Sequence, residues 1–123
     1  MSDLDVVVEQ TAAGRLVVLH VAGDLDMSTA PTLADHVRAQ LVRAGQGTVV
    51  DLTAVEFLGS AGLAVLAEAA RHAAERNLPL RVVASSYAVL RPIQVTGLDD
   101  ALVICDTVDA ALQPDQSDQS NAE

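Results

Sequence analysis

The 123 residues are half apolar, with one Phe, one Tyr and no Trp, a length and composition that fit one domain around an aliphatic core. A formal net charge of −10, with seven Arg, no Lys and no basic cluster, argues against nucleic acid or an anionic membrane as partner; it fits a partner with a basic face and, equally, an acid excess that only keeps the protein soluble. The single Cys105 excludes a disulfide within the chain and a thiolate metal cluster.

Small aliphatic side chains suit close packing of helices on a sheet better than an aromatic-lined pocket, so no cofactor is expected. Met1 to Asp5 lacks the basic and apolar blocks of a signal peptide. No apolar run approaches the about 18 residues needed to span a bilayer. These features predict a cytoplasmic protein with no membrane partner, as a monomer or weak dimer.

Leu4, Val6 and Val8 alternate with Asp5, Val7 and Glu9, the period of an edge or half-buried strand. A turn over Thr11–Gly14 leads to the apolar run Leu16–Ala22, a strand covered on both faces that pairs with the first as a hairpin. His20 within it reads as a core or sheet-face residue. The segment Gly23-Asp24-Leu25-Asp26-Met27 breaks the strand pattern. Ser28 or Thr29 is placed to cap a helix with Pro31 in its first turn. Ala30, Leu33, Ala34, Val37 and Leu41 form its apolar stripe, and Gly45 stops it.

Thr48–Leu52 reads as a short buried strand, followed by a short apolar turn. A helix begins near Ser60, with Leu63, Leu66, Ala67, Ala70 and Ala74 on one stripe and Asn77 as its stop. A strand over Leu80–Ala84 comes next. Ser85 or Ser86 then caps a helix holding Val89, Leu90 and Ile93, which Pro92 keeps short or kinked. Thr96-Gly97-Leu98 has the form of a helix C-cap. Leu102–Cys105 is a last strand, and Asp106 or Thr107 caps a closing turn through Leu112. The order β, β, α, β, α, β, α, β, α predicts an α/β domain over residues 1–112: a mixed, mostly parallel sheet with an N-terminal hairpin and helices packed against it. Residues 113–123 are polar and acidic without apolar periodicity, and a disordered tail is expected there.

The stretch Asp51–Leu66 carries the chemistry. Ser60 stands at a strand-to-helix turn, in the positive field of a helix N-terminus and beside Gly59 and Gly62. It reads as a helix cap, a nucleophile or a phosphate acceptor. The nucleophile elbow needs glycine two residues before the serine, and position 58 is Leu. His20, His36 and His72 lie on a strand and two helices with no sign of convergence on a triad. Asp24 and Asp26 have no companion ligands at a metal-binding spacing. A phosphate-binding loop would need Lys, which is absent. The chain is poorly equipped as an enzyme. Phosphate acceptance asks only for an exposed hydroxyl, since base, nucleotide and metal can belong to the partner. Cap and acceptor both stay open.

Three segments resemble the stand-alone domains of the STAS family, the bacterial anti-anti-sigma factors. Gly23-Asp24-Leu25-Asp26 with Ser28-Thr29-Ala30 resembles the family's acidic loop and first helix start. Asp51–Leu63 resembles its strand-to-helix phosphorylation segment, and Thr96-Gly97-Leu98 its late Gly-Leu turn. The resemblance implies an anti-sigma factor antagonist that binds an anti-sigma factor and thereby frees a sigma factor. That partner would often be a serine kinase of histidine-kinase-like ATPase fold, phosphorylating Ser60, with a serine phosphatase reversing the step. Asp24, Asp26, Ser28, Gly59, Ser60, Ala61 and Gly62 would form the partner-binding surface. Well-known members carry an acid just before the serine and Ser or Thr just after, where this chain has Gly59 and Ala61. A non-phosphorylated STAS subunit of a lipid or anion transport complex, and a small-ligand sensor, are the alternative readings.

Overall fold

The computed structural model describes residues 4–11 and 16–113. The turn expected at Thr11–Gly14, apart from Thr11, and the tail expected from Gln113, apart from that residue, lie outside them. The elements run β1 (Leu4–Gln10), β2 (Leu16–Leu25), α1 (Ala30–Arg38) with a π-helical turn (Ala39–Arg43), β3 (Gly47–Leu58) and α2 (Ser60–Arg76). They continue through β4 (Leu80–Val83), α3 (Tyr87–Val95), a 3-10 turn (Leu98–Asp100), β5 (Val103–Cys105) and α4 (Val108–Ala111).

The five strands lie in the order β1-β2-β3-β4-β5. β1 and β2 pair antiparallel, and the other pairs are parallel. This is the expected mixed sheet with its N-terminal hairpin. Because parallel crossovers are right-handed, three successive ones between adjacent strands put their helices on one face. Alternate strand residues then serve opposite faces. Leu19, Val21, Val50, Leu52 and Val82 meet Leu33 and Val37 of α1, Leu66 and Ala73 of α2, and Val89 and Ile93 of α3 in the main core. Val18, Val49 and Val83 point the other way and meet Ala111 of α4 in a smaller cluster.

Several boundaries differ from the sequence expectation. β2 extends through Leu25, so Asp24 is a strand residue and not part of a loop. β3 does not stop at Leu52, and no turn precedes Ser60: the strand runs to Leu58 and burial continues at Val55 and Leu58. The reason is the register. His20 pairs with Asp51 and Asp24 with Phe57, so four steps along β2 match six along β3, with shifts after His20 and after Gly23. Two extra residues in β3 break the period-2 pattern that marks a strand in sequence. The first irregularity is braced by Asp51, whose Oδ1 accepts from the Thr53 amide at 3.0 Å and the Thr53 hydroxyl at 2.8 Å.

The buried stripe of α2 is Gly62, Leu66, Ala69 and Ala73, rotated from the expected one; Ala67 and Ala74 are exposed. An alanine-rich helix offers several apolar stripes, and its point of closest approach, at Gly62, selects among them. A Cβ at Gly62 would stand 2.7 Å from Leu58 Cδ1 and 2.9 Å from Leu25 Cβ. Glycine is needed there for contact and not for an unusual φ. Asn77 ends α2 in the left-handed conformation, φ 54°, as a helix stop should. α3 is short, nine residues with Pro92 inside, and Thr107 caps α4 by accepting from the Ala110 amide at 3.1 Å.

Candidate functional site

The C-terminal ends of β2 and β3 lie side by side. Asp24 neighbours Phe57, Leu25 neighbours Leu58, and the Gly59 amide donates to the Leu25 carbonyl at 2.9 Å. α1 and α2 both start from this edge, the place where open parallel sheets present their ligand-binding surface. The structure thus brings the Asp24–Ser28 segment and the Gly59–Ala61 segment together on one edge.

The first segment is held by its own side chains. Asp26 Oδ1 accepts from the Ser28 amide at 2.9 Å, the Ser28 hydroxyl at 2.7 Å and the Thr29 amide at 3.1 Å. The Ser28 hydroxyl foremost, with the two amides, holds the Asp26 carboxyl below its ordinary value. The expected Ser28 or Thr29 cap is therefore corrected. Thr29 stands at the N-cap position without a capping bond; its hydroxyl donates instead to the Asp24 carbonyl at 2.6 Å. Asp26, three residues before the N-cap Thr29, takes over the work of a cap. Its carboxylate satisfies the chain entering α1, and the exposed Ser28 rides on it.

At the second segment the N-cap is Gly59, which has no side chain to cap with, and Ser60 is the first helical residue. The capping reading of Ser60 is thereby replaced. Its side chain is exposed, and its hydroxyl has no hydrogen-bond partner among the described residues. The first intrahelical bond runs from the Leu63 amide to the Gly59 carbonyl at 3.0 Å. Helix geometry leaves the amides of Ser60, Ala61 and Gly62 as the unpaired donors of a 17-residue helix. Gly62 itself is buried between Leu25 and Leu58, so it sets the depth of the helix start. A Cβ at Gly59 would meet the Phe57 ring, 2.9 Å from Cε2. The ring occupies the space that a side chain at position 59 would need.

A family model described as Mlab, STAS domain, matches residues 8–105. The anti-sigma-F factor antagonist RsfB of Mycobacterium tuberculosis is 35% identical over 95 residues, 77% of each chain. This chain belongs to the STAS family of anti-sigma factor antagonists. RsfA, another anti-sigma-F factor antagonist of that organism, is 33% identical over 98 residues, 78% of this chain and 77% of its own. The crystal structure of an anti-sigma factor antagonist from Mycobacterium paratuberculosis superposes with a TM-score of 0.77 at 37% identity, covering 89% of this chain and 92% of that one.

For a STAS domain, this edge carries more apolar surface than its sequence suggested. Met27 is 82% exposed and Phe57 52%, flanking the two segments, and Tyr87 opens α3 at 75%. Sequence reasoning counted Phe57 and Tyr87 only as scarce aromatics. The signal was available: in a chain with one of each, both stand where a strand gives way to a helix. Among the described residues no group of three or more His, Cys, Asp or Glu could hold a metal ion, and no helix is long and apolar enough to cross a membrane. A shallow groove between α1 and α2, lined by Val37, Arg38, Glu68 and His72 among others, has room for only about 10 Å³, far below the roughly 300 Å³ of a small-ligand pocket.

Proposed function

We propose that this STAS domain binds an anti-sigma factor through the edge formed by Asp24, Asp26, Ser28, Phe57, Gly59, Ser60 and Ala61, and is released by phosphorylation of Ser60. The partner is a serine kinase of histidine-kinase-like ATPase fold, and a phosphatase resets the cycle. The observation that carries this reading is the state of Ser60: an exposed hydroxyl without a partner among the described residues, at the first position of a long helix. Phosphorylation adds about −1.5 to −2 charges. The unpaired amides of the first turn of α2 favour negative charge there by about 0.3–1 kcal/mol per charge, so the product folds as well as the substrate. The change falls on the surface. A dianion is added to an edge that already carries Asp24, Asp26 and Glu56, and the partner's apolar contact with Met27 and Phe57 has to form beside it.

The test is to incubate the protein with its cognate anti-sigma kinase and ATP and to map the product by mass spectrometry. Phosphate on Ser60, and none on a Ser60→Ala protein that still binds, is the expected result. Phosphate elsewhere, or a switch that survives Ser60→Ala, overturns it. Gly59 and Ala61, which replace the acid and the hydroxyl residue of well-known members, favour a second reading: a STAS subunit of a transport complex that is never phosphorylated. Co-purification with a transporter ATPase in place of an anti-sigma factor would establish that reading instead.

A further inference from the structure

On the sheet face turned away from α1, α2 and α3, a second cluster of titratable groups spans the first three strands. His20 stands in the middle of β2, between Val7 of β1 and Asp51 of β3. Its Nδ1 lies 2.7 Å from Asp51 Oδ2 and its Nε2 lies 2.7 Å from Glu9 Oε1. A neutral imidazole carries one N–H and can donate to one carboxylate only; the other contact would set lone pair against lone pair. Two contacts of this length require both nitrogens to donate, which is the imidazolium.

The two carboxylates differ in what they would lose. The Asp51 side chain is 9% exposed and that of Glu9 62%. Asp51 Oδ1 is already committed to Thr53, so without His20 its Oδ2 would be left buried and unpaired, a costly state. Glu9 has water to turn to. When the ring loses a proton, the one it retains belongs on Nδ1.

Of the other charges on this face, Asp5 is exposed and lies opposite Ala22, two residues further along β2. Val83 and Cys105 continue the row on β4 and β5, and burial pushes the Cys105 thiol up, so it stays neutral where histidine titrates. Arg81, on the same sheet face, donates to the carbonyls of Ala111 and Gln113.

We propose that His20 is a proton-operated clamp on the edge strand β1: as a cation it ties β1, β2 and β3 together through Glu9 and Asp51, and as a neutral ring it keeps Asp51 and releases Glu9. Beyond its ladder with β2, β1 has few other anchors: Gln46 Nε2 donates to Gln10 Oε1 at 3.1 Å, Leu4 and Val6 are only half-buried, and Val7 and Val8 are exposed. Hydrogen bonds to Glu9 first, and then to Asp51, hold the His20 pKa above its ordinary 6.5 against the opposing effect of partial burial. The sign follows. The clamp is fully present below about 6.5 and is lost as pH rises through the raised value of the folded protein. The inference concerns the free protein and stands apart from the Ser60 reading.

The experiment is an NMR titration of the full chain between about pH 5 and 9, following the His20 ring and the amide-exchange protection of β1. The expected His20 midpoint lies above 6.5, β1 protection falls across that midpoint, and the neutral ring carries its proton on Nδ1. In Glu9→Gln, an exposed substitution that leaves the fold in place, the midpoint moves down and β1 protection stops depending on pH in this range. A midpoint at or below 6.5, β1 protection that does not follow His20, or a neutral ring protonated on Nε2 overturns the clamp.

Discussion

Gly62→Ala tests the depth at which α2 docks on the strand ends. The new methyl would sit 2.7 Å from Leu58 Cδ1 and 2.9 Å from Leu25 Cβ. The Leu58 methyl can rotate away. Leu25 Cβ cannot, because it hangs directly on a β2 backbone that is tied to Gly59. Either α2 lifts or β2 shifts, an overpacking cost of about 1–3 kcal/mol. Alanine's better helix propensity offsets up to about 1 kcal/mol of this, and because Leu25 Cβ cannot yield, a cost in the upper half of that range leaves a net loss of roughly 1–2 kcal/mol. With an unfolding entropy of about 2.1 cal/mol/K per residue over roughly 100 ordered residues, Tm falls by about 5–10 °C. Thermal melts and urea titrations should agree, with the midpoint lowered and the m-value unchanged. A Gly62→Ala protein as stable as the parent would show that the helix start is free to move and that its position is not fixed by this contact.

Three further substitutions probe the edge itself. Phe57→Ala removes a half-exposed ring and should leave stability within about 0.5 kcal/mol, while weakening binding to the anti-sigma partner about tenfold or more in a calorimetric titration; unchanged binding would move the interface away from Phe57. Ser60→Asp places a unit charge at the helix start. At about 6 Å from a carboxylate of the docked partner and an effective dielectric of about 40, the repulsion is about 1.4 kcal/mol, a tenfold loss of affinity, with far-UV circular dichroism unchanged. Asp26→Ala removes the acceptor for Ser28 and Thr29 and should lower Tm. Because the folded protein holds the Asp26 carboxyl below its ordinary 3.8, its contribution is present above that value and fades as pH falls through the lower one. The Tm gap between wild type and Asp26→Ala should therefore close in acid, and a gap independent of pH would refute the bonding scheme.

The order of elements was legible because hydrophobic periodicity is strong in β2, α1 and α3, and because Asn77 and Gly97 punctuate where helices end. The ends of β2 and β3 were not legible. Two irregularities in β3 shift Val55 and Leu58 off the alternating pattern, so a twelve-residue strand reads as a short strand and a turn. Ser60 was placed correctly at the helix start, since Gly-Ser after an apolar run is a local signal. Asp26's bonding role was hidden behind the more usual candidates Ser28 and Thr29. The clustering of Glu9, His20 and Asp51 depends on strand pairing over 11 and 31 residues, which no local pattern encodes. Its trace in the sequence was a polar residue interrupting each of two apolar runs.

The Phe57 ring lying in the space next to Gly59 couples two positions that are not adjacent in the chain. A side chain at position 59 and the ring at 57 compete for one volume, so a residue there turns the half-exposed ring outward. Under the proposed docking, the partner meets a half-exposed ring beside position 59 in place of a carboxylate. An apolar recess matched to the ring would leave a carboxylate at position 59 desolvated and unpaired. An exchange at position 59 would thus change the surface a partner has to match without any change to Ser60.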